Sequence, residues 1–369
     1  MKPDLTVFTA TSGHSGVDRV VANLLPAVAA LGIRVDLLKI RGHGPHLSRV
    51  PDGVRIVDLG TSHVASALPA LVRYLRRERP AAMLSDKDKV NRTALWARAM
   101  ARVDTRVCVR LGTTVSTNLA SRPFLDRVIQ QWSMRTFYRW AHGIIVPSNG
   151  VADDLATFVM LPRGLISVVP NPVVTSRMRQ LATEAAPHPW LDDPALPVVL
   201  GVGELSERKD FATLIRAFAR LRADRPCRLI IFGEGRRREE LSRLAVDLRV
   251  QDDFALPGFV ENPYAAMSRA SVFALTSRWE GFGIVLAEAL ALGTPTVSSN
   301  CPSGPAEILQ SGRVGPLVPI GDDAALAEAL ASMLDAPPSR SLLIEAARPY
   351  TDESSARAYL AALGFREFQ

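Results

Sequence analysis

Short apolar runs, each followed by a longer amphipathic segment, alternate along this chain, stop once, and then start again. In the first series, Leu5–Thr9, Ile33–Ile40, Val54–Val57, Ala81–Leu84, Val107–Leu111 and Gly143–Val146 read as strands. Asp18–Ala30, Ala65–Arg77 and Arg127–Trp140 carry helical periodicity. Strand–helix alternation of this kind builds a parallel sheet covered by helices. The pattern breaks between Pro170 and Pro197, where Pro172, Pro187, Pro189 and Pro194 also fall. It resumes with strands at Pro197–Val202, Arg228–Phe232, Phe254–Leu256, Ser271–Leu275 and Thr294–Ser298. The helices between and after them are Phe211–Arg222, Arg237–Leu248, Ala265–Ala270, Gly283–Leu292 and Ala324–Leu334.

Two α/β domains in tandem are therefore expected. The boundaries are 1–170 for the first, 171–196 for a linker and 197–345 for the second, with a helical tail over 346–369 that crosses back to the first. A length of 369 residues suits two domains. Ligands of such sheets sit at the carboxyl ends of the strands.

Composition excludes several other classes. The three cysteines, Cys108, Cys227 and Cys301, are far apart and form no CxxC pair, which rules out a disulfide scaffold and leaves no zinc-ligand spacing. No apolar h-region opens the chain, and no run approaches the roughly 20 apolar residues of a membrane span. No signal peptide is expected, and the default compartment is the cytoplasm. The formal charge of +7 is uneven: residues 1–170 hold 23 Lys and Arg against 12 Asp and Glu, whereas the remainder holds 21 against 25. A basic first half suits nucleic acid, an anionic membrane surface or a phosphorylated substrate. It equally suits a solvated arginine-rich surface, since only five of the 44 cations are lysines.

The most informative stretch is Ser277–Glu288, SRWEGFGIVLAE. A strand ends near Leu275, and the turn Glu280-Gly281-Phe282-Gly283 leads into an apolar helix. A helix N-terminus binds phosphate, glycine lets a ligand approach the backbone, and carboxylates accept hydrogen bonds from hydroxyls. Glu280, the helix start and Glu288 thus stand in the order that suits a sugar, a diphosphate and a ribose. A second reading stays open: Glu280 complements the helix dipole and Glu288 lies on a solvated face. Upstream, VLGVGELSERKD over Val199–Asp210 places Gly203, Arg208 and Lys209 after a strand, where two cations can neutralise a diphosphate. FGEG with Gly233, the Gly16–Arg19 turn, and CPSGPAEIL ahead of Glu307 are further glycine turns at strand ends.

The order GELSERKDF, FGEG, GFVENPYAAMSRASVFALTSRWEGFGIVLAEALALGTPTVSS and GPLVPIGD resembles the second domain of glycosyltransferase family 4. The resemblance spans the chain and is strongest over Val199–Asp322; the spacing of Glu280 and Glu288 is its most specific mark. It implies the GT-B architecture, an α/β fold of two Rossmann-like domains facing across a cleft, with the acceptor bound by the first domain. It implies catalytic roles for Glu280, facing the donor sugar, and for Arg208 and Lys209, holding the donor diphosphate. Donor binding falls to Gly16, Arg19, Gly203, Gly233, Gly281, Phe282, Gly283, Ile284 and Glu288, with Glu288 on the ribose. Arg110, Thr113, Thr114 and Ser148 are the acceptor-side candidates, and Ser148-Asn149 and Asn171-Pro172 match loops lining the hinge.

The implied reaction is a retaining transfer of a hexosyl or N-acetylhexosaminyl group from a nucleotide-sugar, a UDP-sugar by expectation. The acceptor is a glycan or a lipid-linked sugar of bacterial cell-surface polysaccharide synthesis. No metal and no cofactor are expected, because Arg208, Lys209 and the helix start can carry the leaving charge. A nucleotide-sugar epimerase and an inactive nucleotide-sugar-binding subunit are the alternatives. Three positions depart from the family pattern: Glu204 follows Gly203 where arginine is frequent, Ser15-Gly16 replaces a Gly-Gly pair, and Thr113, Thr114 and Ser116 stand where many members carry histidine. His14 and His63 are the candidate substitutes for that histidine.

The segment Ser121–Trp140 mixes Arg122, Arg127, Arg135 and Arg139 with Phe124, Trp132, Phe137, Tyr138 and Trp140. It can lie at an anionic membrane interface, making the protein peripheral at the inner face of the cell membrane. It can also pack its aromatics in the core, which is the preferred expectation. No recognised nucleic-acid-binding module is present, so no nucleic-acid partner is expected.

Overall fold

A computed structural model describes residues 2–368 apart from 12, 14, 15, 48 and 121. Of the positions singled out above, His14, Ser15 and Ser121 lie outside the described residues. The chain divides into two compact units, residues 1–173 with 350–369, and residues 174–349.

The first unit is a seven-stranded parallel sheet. Its strands are β1 (Leu5–Thr9), β2 (Val35–Lys39), β3 (Val54–Asp58), β4 (Ala82–Asp86), β5 (Arg106–Arg110), β6 (Gly143–Val146) and β7 (Ile166–Val168). They lie in the order β3-β2-β1-β4-β5-β6-β7. The helices are α1 (Gly16–Ala30), α2 (Leu68–Glu78), α3 (Asp88–Ala101), α4 (Val115–Ala120), α5 (Phe124–Phe137) and α6 (Asn149–Val159). Side chains alternate along each strand, so the sheet buries both faces. Phe8, Leu38, Met83, Val107, Val109 and Ile144 pack under α2, α3 and α6. Leu5, Val7, Leu37, Leu84, Cys108 and Ile145 pack on the other face.

The second unit is a six-stranded parallel sheet of β8 (Val198–Val202), β9 (Arg228–Phe232), β10 (Phe254–Gly258), β11 (Val272–Leu275), β12 (Thr296–Ser299) and β13 (Leu317–Val318). Their order is β10-β9-β8-β11-β12-β13. Its helices are α7 (Ser176–Leu181), α8 (Phe211–Asp224), α9 (Arg238–Asp247), α10 (Tyr264–Met267), α11 (Ile284–Ala291), α12 (Pro305–Ile308), α13 (Asp323–Asp335) and α14 (Arg340–Ala346). Leu214, Ile215 and Phe218 of α8 and Leu326 and Leu330 of α13 cover one face of this sheet.

Residues 174–196 are structured and belong to the second unit. Asn262 donates to the Leu181 carbonyl at 2.8 Å and Arg269 to that of Glu184 at 2.8 Å, which ties the segment around α7 to α10. The last helix, α15 (Asp352–Leu363), belongs to the first unit. Its Ala356, Tyr359, Leu360 and Leu363 complete the core face of Leu5, Val7 and Leu84. The Val173 amide donates to the Tyr350 carbonyl at 2.9 Å, so the outgoing and returning chain segments are bonded to one another.

The expectation that the aromatics of 121–140 pack in the core fails for most of the segment. Tyr138 is buried, but Phe124 is 75% and Trp132 63% exposed.

Candidate active site

In each sheet the strand order reverses once, between β1 and β4 and between β8 and β11. The loops that leave two such neighbours diverge to opposite sides and open a crevice at their carboxyl ends. In the second unit these are the loops carrying Arg208 and Lys209 after β8, and Glu280 after β11.

The two loops are stitched together. The Arg278 amide donates to the Arg208 carbonyl at 2.8 Å, and the Thr276 hydroxyl donates to the Lys209 carbonyl at 2.9 Å. Glu280 is thereby held where three donors converge: Lys209 Nζ at 2.7 Å and Ser277 Oγ at 2.8 Å on Oε1, and Arg208 Nη1 at 3.0 Å on Oε2. Lys209, Ser277 and Glu280 are buried, whereas the Arg208 side chain is one-third exposed. Burial alone would push the Glu280 carboxyl up. Lys209 and then Arg208 outweigh it, and the group is held below the usual carboxylate range.

Gly203 makes room for this arrangement. A Cβ there would lie 3.0 Å from Lys209 Cε, and a Cβ at Gly233 would overlap the Gly203 carbonyl. These two glycines let the ends of β8 and β9 close under the lysine stem. Gly283 caps α11 in the left-handed region, at φ 91°. Phe282 is buried, and Ile284 opens the helix. The amides at the start of a helix lack carbonyl partners four residues back, so this end favours an anion.

Glu288, in the middle of α11, is fully buried and accepts the Tyr264 hydroxyl at 3.0 Å. Glu288 does not lie on a solvated helix face, which closes that half of the alternative, and Glu280 is buried in its ion pairs. The Ser299 hydroxyl braces the Ser277 carbonyl at 2.5 Å. Ser277, Tyr264 and Ser299 were not singled out from the sequence. Ser277 and Tyr264 sit inside the same sequence blocks, but nothing in their spacing says that they reach the two carboxylates.

The other candidates fall in the first unit. Gly16 and Arg19 begin α1. Arg110 ends β5 and turns inward. It pairs with Asp86 and donates to Tyr359 Oη at 2.8 Å and to Asn171 Oδ1 at 2.7 Å, entirely buried. Burial lowers the affinity of this guanidinium for its proton, but Asp86 beside it reverses the direction and holds it charged. Thr114 is buried and Thr113 exposed. Ser148 caps α6, accepting the Val151 amide at 3.3 Å. His63 is exposed beside Ser62. Among the described residues, no helix is long and apolar enough to cross a membrane.

Two family models match the chain. Residues 184–349 match "Glycosyl transferases group 1" and residues 15–172 match "Glycosyl transferase 4-like domain". A Campylobacter jejuni N-acetylgalactosamine-N,N'-diacetylbacillosaminyl-diphospho-undecaprenol 4-alpha-N-acetylgalactosaminyltransferase is 28% identical over 90% of both chains. The Rhizobium meliloti lipopolysaccharide core biosynthesis glycosyltransferase LpsD is 33% identical over 61% of this chain and 70% of its own. In fold, the chain is similar to Anabaena HepE in complex with UDP, with a TM-score of 0.75 at 17% identity over 98% of this chain and 99% of that one. It is also similar to the lipopolysaccharide outer core galactosyltransferase WaaB, with a TM-score of 0.74 at 18% identity over 97% and 98%.

Proposed function

The chain belongs to the group 1 glycosyl transferases, and from that membership we propose a retaining, metal-independent hexosyltransferase that uses a UDP-sugar. The group moved is a hexosyl or N-acetylhexosaminyl unit. The acceptor is a glycan or lipid-linked sugar of bacterial cell-surface polysaccharide synthesis, met at the cytoplasmic face of the cell membrane. The relatives support this reading: the Campylobacter enzyme is named for a diphospho-undecaprenol acceptor, LpsD for lipopolysaccharide core, and HepE was solved with UDP.

The observation that carries it is the buried Glu280 carboxylate bonded to Lys209 and Arg208 beside the start of α11. Two cations and a helix start can hold a diphosphate and take up the charge it gains as the sugar leaves. Glu280, released from one cation when phosphate arrives, is placed to accept hydrogen bonds from donor sugar hydroxyls. Glu288 serves the ribose. The acceptor oxygen bonds to the anomeric carbon on the face the phosphate leaves, and its proton passes to the departing phosphate oxygen. Configuration is retained without an enzymic nucleophile, in contrast to hydrolases that retain through a carboxylate.

The test is thermal stabilisation by UDP, GDP, ADP and their common sugars with EDTA present, for the wild type and Lys209→Ala. A ligand bound only by the native state at a hundredfold excess over Kd stabilises by about 2.7 kcal/mol. UDP and one UDP-sugar should stabilise the wild type, and the variant should lose the effect. Stabilisation by none of the nucleotides, or only when EDTA is omitted, would overturn the donor reading.

A further inference from the structure

Helix α5 turns its apolar side away from the protein. Phe124, Leu125, Val128, Ile129 and Trp132 are 75, 67, 43, 55 and 63% exposed, and their spacing puts all five on one face. The inward side carries Met134, which is buried in the core, and Phe137, which packs against that core, together with polar side chains that hold the helix in place. Gln130 donates to Asp88 Oδ2 at 3.2 Å, Arg92 donates to Ser133 Oγ at 3.1 Å, and Gln131 donates to the Phe158 carbonyl. Only Ser133 and Met134 of this helix are buried.

A helix that merely covers a core shows the reverse pattern, and an outward apolar face of this length marks a binding surface. Near the carboxyl end of the helix lies a separate aromatic cluster. Phe137 lies 5.4 Å from Trp96 and 5.1 Å from Trp140, and both tryptophans are about two-fifths exposed.

Charge decides what covers the face. Residues 122–140 carry Arg122, Arg127, Arg135 and Arg139 against the single carboxylate of Asp126, and Arg122, Arg135 and Arg139 are exposed. A second copy meeting this face across a two-fold axis would set these arginines against themselves. An anionic lipid surface supplies both the apolar layer and the phosphates.

We propose that α5 docks the protein on an anionic bilayer. It lies in the membrane plane, with Phe124, Leu125, Val128, Ile129 and Trp132 at the boundary of headgroups and acyl chains and Arg122, Arg135 and Arg139 on lipid phosphates. The inference rests on the placement of the reaction at a membrane, but not on the identity of the donor.

The experiment is sedimentation of the full chain with equimolar phosphatidylglycerol/phosphatidylcholine vesicles, and with phosphatidylcholine alone, at low and high salt. The wild type should sediment with the anionic vesicles at low salt and lose most of that binding at high salt or without phosphatidylglycerol. The triple substitution Leu125→Gln, Ile129→Gln, Trp132→Gln should weaken binding at least tenfold while keeping the wild-type melting temperature. Arg135→Gln with Arg139→Gln should lose the preference for phosphatidylglycerol. A wild type that stays in the supernatant with anionic vesicles overturns the proposal, as does a folded triple variant that sediments equally well. A wild-type dimer that the triple variant converts to monomer, with no vesicle binding by either, overturns it in favour of self-association. Vesicle binding without stabilisation by any nucleotide would support the docking face and count against the donor reading instead.

Discussion

Lys209 Nζ lies 2.7 Å from Glu280 Oε1, and the two buried side chains are 71 positions apart in the chain. They meet because β8 and β11 are neighbours at the point where the strand order reverses. Removing one member of a buried pair strands the other without compensation, at about 3–5 kcal/mol, whereas replacing both is far less costly. Lys209→Met should therefore lower unfolding stability by about 3 kcal/mol, with Arg208 and Ser277 still on the carboxylate. Lys209→Met combined with Glu280→Gln should recover most of that loss in denaturant titrations. Both variants should be at least a hundredfold slower in transfer, since stability and the stabilisation of leaving charge are separate contributions. Equal stability of the single and the double variant would show that the pair is not coupled.

The same pair sets a pH dependence. The folded Glu280 carboxyl lies below its ordinary value of 4.5, burial opposing and Lys209 and Arg208 prevailing. Its contribution to stability is therefore complete above that value and is lost as pH falls through the lower folded one. In Lys209→Met burial is less opposed, so the folded value moves up. The stability gap between wild type and variant should be widest near neutral pH and narrow as pH falls toward 4. A gap that is constant from pH 7 to pH 4 would show that Lys209 does not hold the charge on Glu280.

Much of the fold is legible because parallel strands buried on both faces are continuous apolar runs. The less periodic elements are not. Helix α3 opens with Asp88, Lys89, Asn91, Arg92 and Thr93, so its apolar stripe is thin, yet Val90, Ala94, Leu95 and Ala97 are buried. The face of α5 is readable from its spacing, but spacing tells which residues share a face and not whether that face meets a core. Arg110 stands at a strand end like a ligand-binding cation, and its partners Asp86, Asn171 and Tyr359 come from 24, 61 and 249 positions away. Glu280 and Glu288 stand out in the sequence through the family resemblance that their spacing carries. The hydroxyls of Ser277 and Tyr264 that fix them are visible only once β11 and α10 are packed.

Glu288 separates the nucleoside from the diphosphate. If it holds the ribose, Glu288→Gln should weaken UDP about tenfold and leave inorganic pyrophosphate unaffected in calorimetric titrations. Arg208→Ala should weaken both. Tyr264→Phe removes a hydrogen bond to a buried carboxylate, worth about 1.5–3 kcal/mol, and should weaken UDP in the same sense as Glu288→Gln. An equal loss of UDP and pyrophosphate in Glu288→Gln would place that carboxylate's effect on the phosphates.

Arg110 is expected to act on stability. Arg110→Leu strands the buried Asp86 carboxylate, at about 3–5 kcal/mol. Tyr359→Phe removes one hydrogen bond from the charged Arg110 guanidinium, between α15 and β5, and should cost about 1.5–3 kcal/mol by denaturant unfolding. Stabilisation by UDP should be the same in Tyr359→Phe as in the wild type. A Tyr359→Phe variant of full stability would show that α15 is held without the Arg110 bond, by its apolar contacts with Leu5, Val7 and Leu84 and by the Arg106 bond to the Leu363 carbonyl.

Gly304 and Gly312 separate backbone strain from close approach. Both have positive φ, 84° and 96°, but a Cβ at Gly304 would overlap the Phe282 carbonyl, whereas one at Gly312 would meet nothing within 4 Å. Alanine at either position incurs the left-handed cost of about 1–2 kcal/mol. Alanine at Gly304 must also push its loop away from Phe282, one residue before the Gly283 cap of α11, and overpacking adds about 1–3 kcal/mol. If the start of α11 receives the donor phosphates, Gly304→Ala should lose most stabilisation by UDP, and Gly312→Ala should keep it at a modestly lower melting temperature. Nucleotide binding by Gly304→Ala equal to that of Gly312→Ala would mean that the contact with Phe282 shapes the fold of the loop and not its ligand.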